Sequence, residues 1–320
     1  MNRRTSIHGA AIALVAASVG LVSSTPVEAQ QWAPPQESPT IRARNTGRRG
    51  TGGGTPADTR GTFIIDGALS IWSVDGPEPV DDDGAVFFST LFGFRYDIVP
   101  VFELEVQGGF ALASPDEGDT QVNLSNILVG GFYVLRAASW RLRIGGGIGL
   151  PTAQIDEDDL GEAAAEAGNL VVAGGQRGAF DFALWFPETL SFQLPSARFV
   201  YYANPQISLM AEAAMSIFVD VSDDFDRDTE VGLQMAFDFG FHPSAAISLG
   251  ARLNLVFVDH DDFVFIDDDT FQASLEPHFR VNFGAGFFFT RLTINLDEPF
   301  GFAFDDGRIW AIHLGGGADF

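Results

Sequence analysis

The sequence predicts an all-β protein, a closed antiparallel transmembrane β-barrel of about 12 strands. Three observations lead to this fold class. Apolar and polar residues alternate with a period of two over most of the chain after residue 60. Short connections alternate with long ones between these segments. No later run of apolar residues is long enough for a transmembrane helix.

The first 60 residues are predicted to lie outside the barrel. Residues 1–29 have a basic start at Arg3 and Arg4, a short apolar stretch and small residues before Gln30. This order is typical of a secretory signal peptide, with a retained membrane anchor as the alternative. Residues 30–60 are rich in proline, then in glycine and arginine, which predicts a disordered linker. The barrel is therefore assigned to residues 61–320.

Charge and cysteine content exclude several function classes. From residue 61 onward the chain has 11 arginines against 40 acidic residues, and the net charge of the whole chain is -25. Nucleic acid is excluded as a partner, because its phosphate backbone requires basic residues. The chain contains no cysteine, so it has neither a thiolate nucleophile nor a disulfide.

Each strand is predicted from its own alternation. In residues 101–113, for example, Phe102 and Leu104 point to one face while Glu103 and Glu105 point to the other. Pro195 interrupts the sixth strand, where it removes a backbone donor. The predicted strands are 62–74, 85–97, 101–113, 121–136, 139–151, 189–202, 206–219, 230–242, 245–258, 270–283, 286–297 and 308–320.

The connections between these strands are of two kinds. Short turns are expected at 97–100, 136–139, 203–206, 242–244 and 283–285, whereas the other connections are longer and acidic, as in VDGPEPVDDDG and DHDDFVFIDDD. Short periplasmic turns opposite long extracellular loops are typical of outer-membrane barrels. The alternative is a soluble β-sandwich, whose single core would have to take up the apolar side chains of nearly every strand.

The last strand resembles a known family signature. In RIWAIHLGGGADF, alternate residues are apolar up to the final aromatic, and the large ones are Trp310, Ile312, Leu314 and Phe320. This segment resembles the assembly signature of Gram-negative outer-membrane β-barrel proteins, the porin-like superfamily, and residues 61–320 look like such a barrel. The resemblance implies location in the cell outer membrane, contact with its lipid and insertion by the barrel-assembly machinery. It identifies no subfamily, and no cofactor is expected.

The inward faces of the predicted strands carry opposed charges. Because 12 strands lie between filled and open barrels, two interpretations stay open: a charged constriction that screens solutes, or an ion-pair network that fills the lumen. His242, His278 and His313 also point inward, as isolated polar residues. The predicted pore-lining residues are Arg95, Glu103, Glu105, Arg141, Arg143, Glu212, Asp238, Arg252, Glu276, Arg280 and Arg291.

The long loops allow two further interpretations. Residues 152–188 combine acids with an alanine-rich run, which favours a short helix that either enters the barrel mouth as a gate or lies over it. Aspartate clusters at 81–83, 223–228, 259–262 and 267–269 offer ligands for divalent cations. None of the clusters matches a calcium-binding loop, and a solvated anionic face is the alternative.

The function favoured by the sequence is a passive or weakly selective channel for small solutes. The alternative is a non-conducting structural or surface-interaction barrel that presents acidic loops. An enzyme is not expected. The residues VDHD at 258–261 bear only a faint similarity to the aspartate–histidine surface proteases of this class, and a catalytic site needs several convergent groups.

Deleting Phe320 should impair membrane insertion more than it changes the transport activity of the barrels that do insert. The reason is that the terminal aromatic belongs to the segment that resembles the assembly signature and is expected at the membrane interface. Membrane fractionation and heat-modifiable electrophoretic mobility measure the inserted fraction. Phe283→Ala, at a short turn, is the control. Normal insertion of the truncated chain would count against this interpretation of the last strand.

Overall fold

The computed structural model describes residues 61–72, 85–114, 121–153, 172–173, 175–176, 182–186, 188–221, 229–259, 271–297, 301–302 and 309–320. The strands among these residues form one antiparallel sheet that closes on itself. Its strands are β1 Gly61–Trp72, β2 Ala85–Val99, β3 Phe102–Ser114, β4 Gln121–Leu124, β5 Ile127–Arg136, β6 Trp140–Leu150, β7 Thr189–Asn204, β8 Ile207–Asp220, β9 Glu230–Ser244, β10 Ile247–Asp259, β11 Phe271–Phe283, β12 Gly286–Asp297, β13 Gly301–Phe302 and β14 Ile309–Asp319.

Twelve strands make up the wall. β4 and β5 both pair with β3, and only Ser125 and Asn126 separate them, so they act as one interrupted wall strand. β13 has only two residues and pairs with the end of β12. The closed barrel of about 12 strands predicted from the sequence is therefore confirmed.

The barrel closes where β1 meets β14. β1 pairs with β2 on one side and with β14 on the other, in a register that runs from Thr62 opposite Asp319 to Trp72 opposite Ile309. The amide of Gly61 donates to the carbonyl of Phe320 at 3.0 Å, and the amide of Phe320 donates back at 2.9 Å. Neither β1 nor β14 is left as a free sheet edge.

Pro195 is accommodated in β7 by an irregularity in strand pairing. The register of β7 against β8 shifts between Gln193 and Ser196, so the strand continues past the residue that cannot donate a hydrogen bond. The predicted sixth strand is confirmed, and the bulge explains how it tolerates proline.

The two faces of the wall differ as the alternation predicts. In β9, Phe237 and Phe239 are about half exposed on the outer face, whereas Gln234 and Asp238 are buried on the inner face. In β14, Ile312 is exposed on the outer face and His313 is fully buried on the inner face. A wall with an apolar outer face and a polar inner face is the arrangement of a transmembrane barrel.

Several predictions concern residues outside the described ranges. These are the signal peptide, the linker, most of the alanine-rich run of 152–188 and the aspartate clusters, of which only Asp259 lies in a described strand. Within the described ranges, no three histidine or acidic side chains are grouped to hold a metal ion.

None of the helices in the part of the chain that the structure describes is long and apolar enough to cross a membrane.

Candidate lumen constriction

The barrel has two distinct ends. Turns of two or three residues at 100–101, 137–139, 205–206, 245–246 and 284–285 define the short-turn end, and the longer connections define the long-loop end. Two groups of residues occupy the lumen between them. An ion-pair network begins near the short-turn end, and part of the connection between β6 and β7 enters from the long-loop end.

The first part of the network joins β3 to β6. Arg141 Nη2 lies 3.0 Å from Glu103 Oε2, and Arg143 Nε lies 2.7 Å from Glu103 Oε1. Arg143 Nη2 also contacts Glu105, whose other oxygen accepts from Arg95 Nε at 2.9 Å. Because β5 lies between β3 and β6, these side chains meet on the inner side of the wall. Each buried carboxylate therefore has at least two guanidinium partners.

The second part of the network joins β7, β8 and β10. Glu212 on β8 accepts from Arg198 Nη2 and from Arg252 Nη2, the latter at 2.8 Å. Arg252 is almost completely buried, and its Nε donates to Asn254 Oδ1 at 2.7 Å. Paired in this way, a buried arginine keeps one defined orientation in the lumen.

The third part joins β1, β11, β12 and β14. Arg291 Nη2 donates to Asp66 Oδ2, and Arg291 Nη1 lies 3.9 Å from Glu276 Oε2. Asp66 Oδ1 lies 3.2 Å from His313 Nδ1. All four side chains are buried.

Nine of the eleven predicted pore-lining residues therefore belong to these three groups. The other two make separate contacts: Asp238 faces His278 at 3.7 Å, and Arg280 donates to Asn282 and lies over the Phe287 ring at 4.2 Å. Asp66 and Arg198 were not among the predicted pore-lining residues. Each of them occupies an inward-facing position in the alternation of its strand, so the sequence pattern was sufficient to identify both residues.

The prediction that the three inward histidines are isolated is wrong. His242 lies 2.9 Å from both Ser208 Oγ and Ser248 Oγ. His313 Nε2 lies 3.2 Å from Thr293 Oγ1 and 2.8 Å from the carbonyl oxygen of Gly175. Alternation along one strand shows that a side chain points inward, but it does not show which side chains of other strands point to the same place.

Described residues between 172 and 186, here called the inserted segment, lie inside the barrel. Gln176 Nε2 donates to Ser89 Oγ on β2 at 2.6 Å, and the Gly175 carbonyl contacts His313 on β14. At the other end of the segment, the Phe186 ring packs edge-on against Phe218 on β8, with ring centroids 5.8 Å apart. Since β8 lies across the barrel from β2 and β14, the inserted segment crosses the lumen.

The wall interruption between β4 and β5 anchors the inserted segment. Asn126 Nδ2 donates to the carbonyl oxygens of Ala183 and Phe186 at 3.0 and 2.6 Å, and its Oδ1 accepts from the amide of Ala153 at 3.0 Å. The Asn126 amide donates to the Leu184 carbonyl at 2.7 Å. Because the strand is interrupted at Asn126, this wall residue is able to hold the inserted segment by hydrogen bonds. The continuous alternation of 121–136 did not predict this role.

A close approach of backbone to wall explains the glycine at position 175. A Cβ atom at Gly175 would collide with Ser70 Oγ and would lie 3.3 Å from Ala311 Cβ. Only glycine lets the backbone come this near to β1 and β14, where His313 contacts the Gly175 carbonyl.

Solved structures of known proteins share the fold of this chain. No family model and no curated protein matches this chain. An outer-membrane channel from Pseudomonas putida F1 superposes with a TM-score of 0.53 at 13% identity, covering 84% of this chain and 100% of that chain. The NanC porin superposes with a TM-score of 0.50 at 7% identity, covering 81% of this chain and 99% of that chain. The chain thus has the fold of Gram-negative outer-membrane β-barrel proteins, as the resemblance implied.

Asn126→Ala should release the inserted segment without opening the wall. The substitution leaves two carbonyls and one amide without their partner, at a cost of about 1–3 kcal/mol each. Trypsin should then cut faster after Arg177, the one basic residue between Pro151 and Glu188. Limited proteolysis with mass spectrometry measures this cut.

The matched control is Asn204→Ala, which removes an asparagine that accepts from the Gln206 amide at the short-turn end. It should leave the cut after Arg177 at the wild-type rate. If Asn126→Ala also cuts at the wild-type rate, Asn126 is not the anchor of the segment.

Proposed function

We propose that the protein is a passive, weakly selective channel for small solutes in the outer membrane of a Gram-negative bacterium, with its lumen narrowed by the inserted segment. The observation that carries the proposal is that this segment crosses the lumen and is held there by side-chain hydrogen bonds, notably those of Asn126 and Gln176. The short-turn end would face the periplasm and the long-loop end the exterior. Similarity to a channel and a porin supports the proposal.

The balance of lumen charges favours weak selectivity. Seven arginines and eight largely buried acids of the described strands point inward, and most of them are paired. Paired charges hold each other in place, so they define the width of a constriction more than they attract one sign of ion. The arginines are Arg95, Arg141, Arg143, Arg198, Arg252, Arg280 and Arg291, and the acids are Asp66, Glu103, Glu105, Glu212, Glu230, Asp238, Glu276 and Asp319.

A non-conducting structural or surface-interaction barrel is the second candidate. It is favoured by the near-complete burial of Arg252, Glu276 and His313, which suits a filled lumen as well as a narrow one. Outer-membrane lipid, the barrel-assembly machinery and divalent cations at the acidic loops remain expected partners under both candidates. An enzymatic role is not proposed.

Conductance of the purified chain in a planar bilayer separates the two candidates. A channel gives stable single-channel openings, whereas a silent barrel with intact heat-modifiable mobility would contradict the channel and favour the structural candidate. Because the chain has no cysteine, a single introduced thiol reports on the conducting path without background.

The thiol is best placed on β3. Gln107→Cys lies on the inner face beside Glu105, to which Gln107 donates at 2.8 Å, and Val106→Cys lies on the outer face of the same strand. A charged methanethiosulfonate reagent should lower the conductance of Gln107→Cys and leave Val106→Cys unchanged. Equal responses of the two variants would place the conducting path outside this lumen.

A further inference from the structure

The inserted segment is held most firmly at the end that joins β7. Residues 183–186, here called the hinge end, lie just before the first residue of β7. Three of their carbonyls accept hydrogen bonds from Asn126. Three large apolar side chains of this end are buried, and one of them, Phe186, packs on Phe218 of β8. Backbone contacts and apolar packing therefore both fix the hinge end.

The opposite end of the inserted segment is held by fewer contacts. Gly175 and Gln176, here called the latch end, are distant along the chain from both β6 and β7. Among the described residues, two side-chain hydrogen bonds join this end to the wall. One runs from Gln176 to Ser89 on β2, and the other links the Gly175 carbonyl to β14. The apolar neighbours of the latch end, Val172 and Ala173, are smaller than the apolar side chains of the hinge end, so less apolar surface holds it in place.

The latch end closes the lumen on the side of β1, β2 and β14. The side chains that meet there are Ser70, Ser89, Gln176 and His313, and each has a solvent-exposed fraction of 0%. The segment therefore lies directly against this part of the wall. The hinge end packs against β8 in the same way. A solute that crosses the barrel at this level has to displace the inserted segment.

Buried polar atoms destabilise the latched position. Gln176 Oε1 and Ser70 Oγ are buried, and neither has a hydrogen-bond partner within the described ranges. Each such atom is destabilising while it is shielded from water, and movement of the latch end away from the wall exposes both. Trp185 Nε1 at the hinge end has no such partner either, but it belongs to a large ring whose burial stabilises that end.

We propose that the inserted segment is a hinged lid. The latch end swings away from β1, β2 and β14, while the hinge end stays fixed by Asn126 and β8. The ion-pair network occupies the other half of the lumen, so the latch end moves toward the long-loop end. This inference rests on the proposed channel function and adds its regulation. The latched lid gives a lower conductance level, and the open lid gives an upper one.

Ser89→Ala tests the latch in single-channel recordings. The substitution removes the acceptor of the Gln176 amide, so the ratio of time in the upper level to time in the lower level should rise about fivefold, the effect of one hydrogen bond. Ser216→Ala is the matched control, because Ser216 is an equally buried serine on β8, at the side of the hinge end. It should keep the wild-type ratio. A Ser89→Ala ratio equal to that of Ser216→Ala would overturn the latch.

A disulfide that fixes the latch end tests the lid from the opposite direction. A Cβ atom at position 175 would lie 3.3 Å from Ala311 Cβ on β14, near the ~3.8 Å typical of a disulfide. Gly175→Cys and Ala311→Cys are combined with Ser70→Gly, because Ser70 would collide with the new side chain. Oxidation should hold the channel in the lower level, and reduction should restore the upper level. The same chain without Gly175→Cys should respond to neither treatment.

The outcomes separate the lid from the channel proposal. A conducting barrel with a single level, or one whose upper level persists after mass spectrometry has confirmed the disulfide, would overturn the lid and leave the channel in place. A silent, correctly folded barrel would overturn both. Two levels, with the upper one favoured by Ser89→Ala and abolished by the disulfide, would support the lid.

Discussion

Closure of the sheet through β1 and β14 is the constraint on which the rest of the structure depends. In lipid, every backbone amide and carbonyl of a spanning segment needs a partner within the protein, and strands satisfy this only by forming a closed barrel. The eleven residue pairs between β1 and β14 supply the last of these partners. Once the wall is closed at twelve strands, its circumference limits the lumen, and inward side chains must share a narrow space.

That narrow space accounts for the contacts between strands that are not neighbours. Glu103 reaches Arg143 across β5, and Asp66 reaches Arg291 across β14. Removing one member of such a buried pair leaves an uncompensated charge and typically costs 3–5 kcal/mol. The network near the short-turn end and the inserted segment in the other half are therefore two different ways of occupying the same confined lumen, one ionic and one apolar.

The alternation of residues predicted the wall well, because a period of two is imposed by the strand itself. The alternation correctly predicted that Ile312 lies on the outer face of β14 and His313 on its inner face. It also placed Glu103 and Glu105 on the inner face of β3. Alternation does not report the height of a side chain in the barrel or its partners on other strands. For that reason the contact between His313 and the Gly175 carbonyl was not predicted. The anchoring role of Asn126 was not predicted because the segments before and after it both show strand-like alternation, so the sequence gives no sign of the interruption.

Under the proposed function, the inserted segment is the element that narrows the lumen, and removal of that segment tests this most directly. The amide of Glu188 donates to the carbonyl of Ala153 at 2.9 Å, so a short glycine–serine linker can replace residues 154–187 without moving the wall. The single-channel conductance of this variant in a planar bilayer should be larger than that of the full chain. An unchanged conductance, or a silent barrel that is correctly folded, would contradict the account.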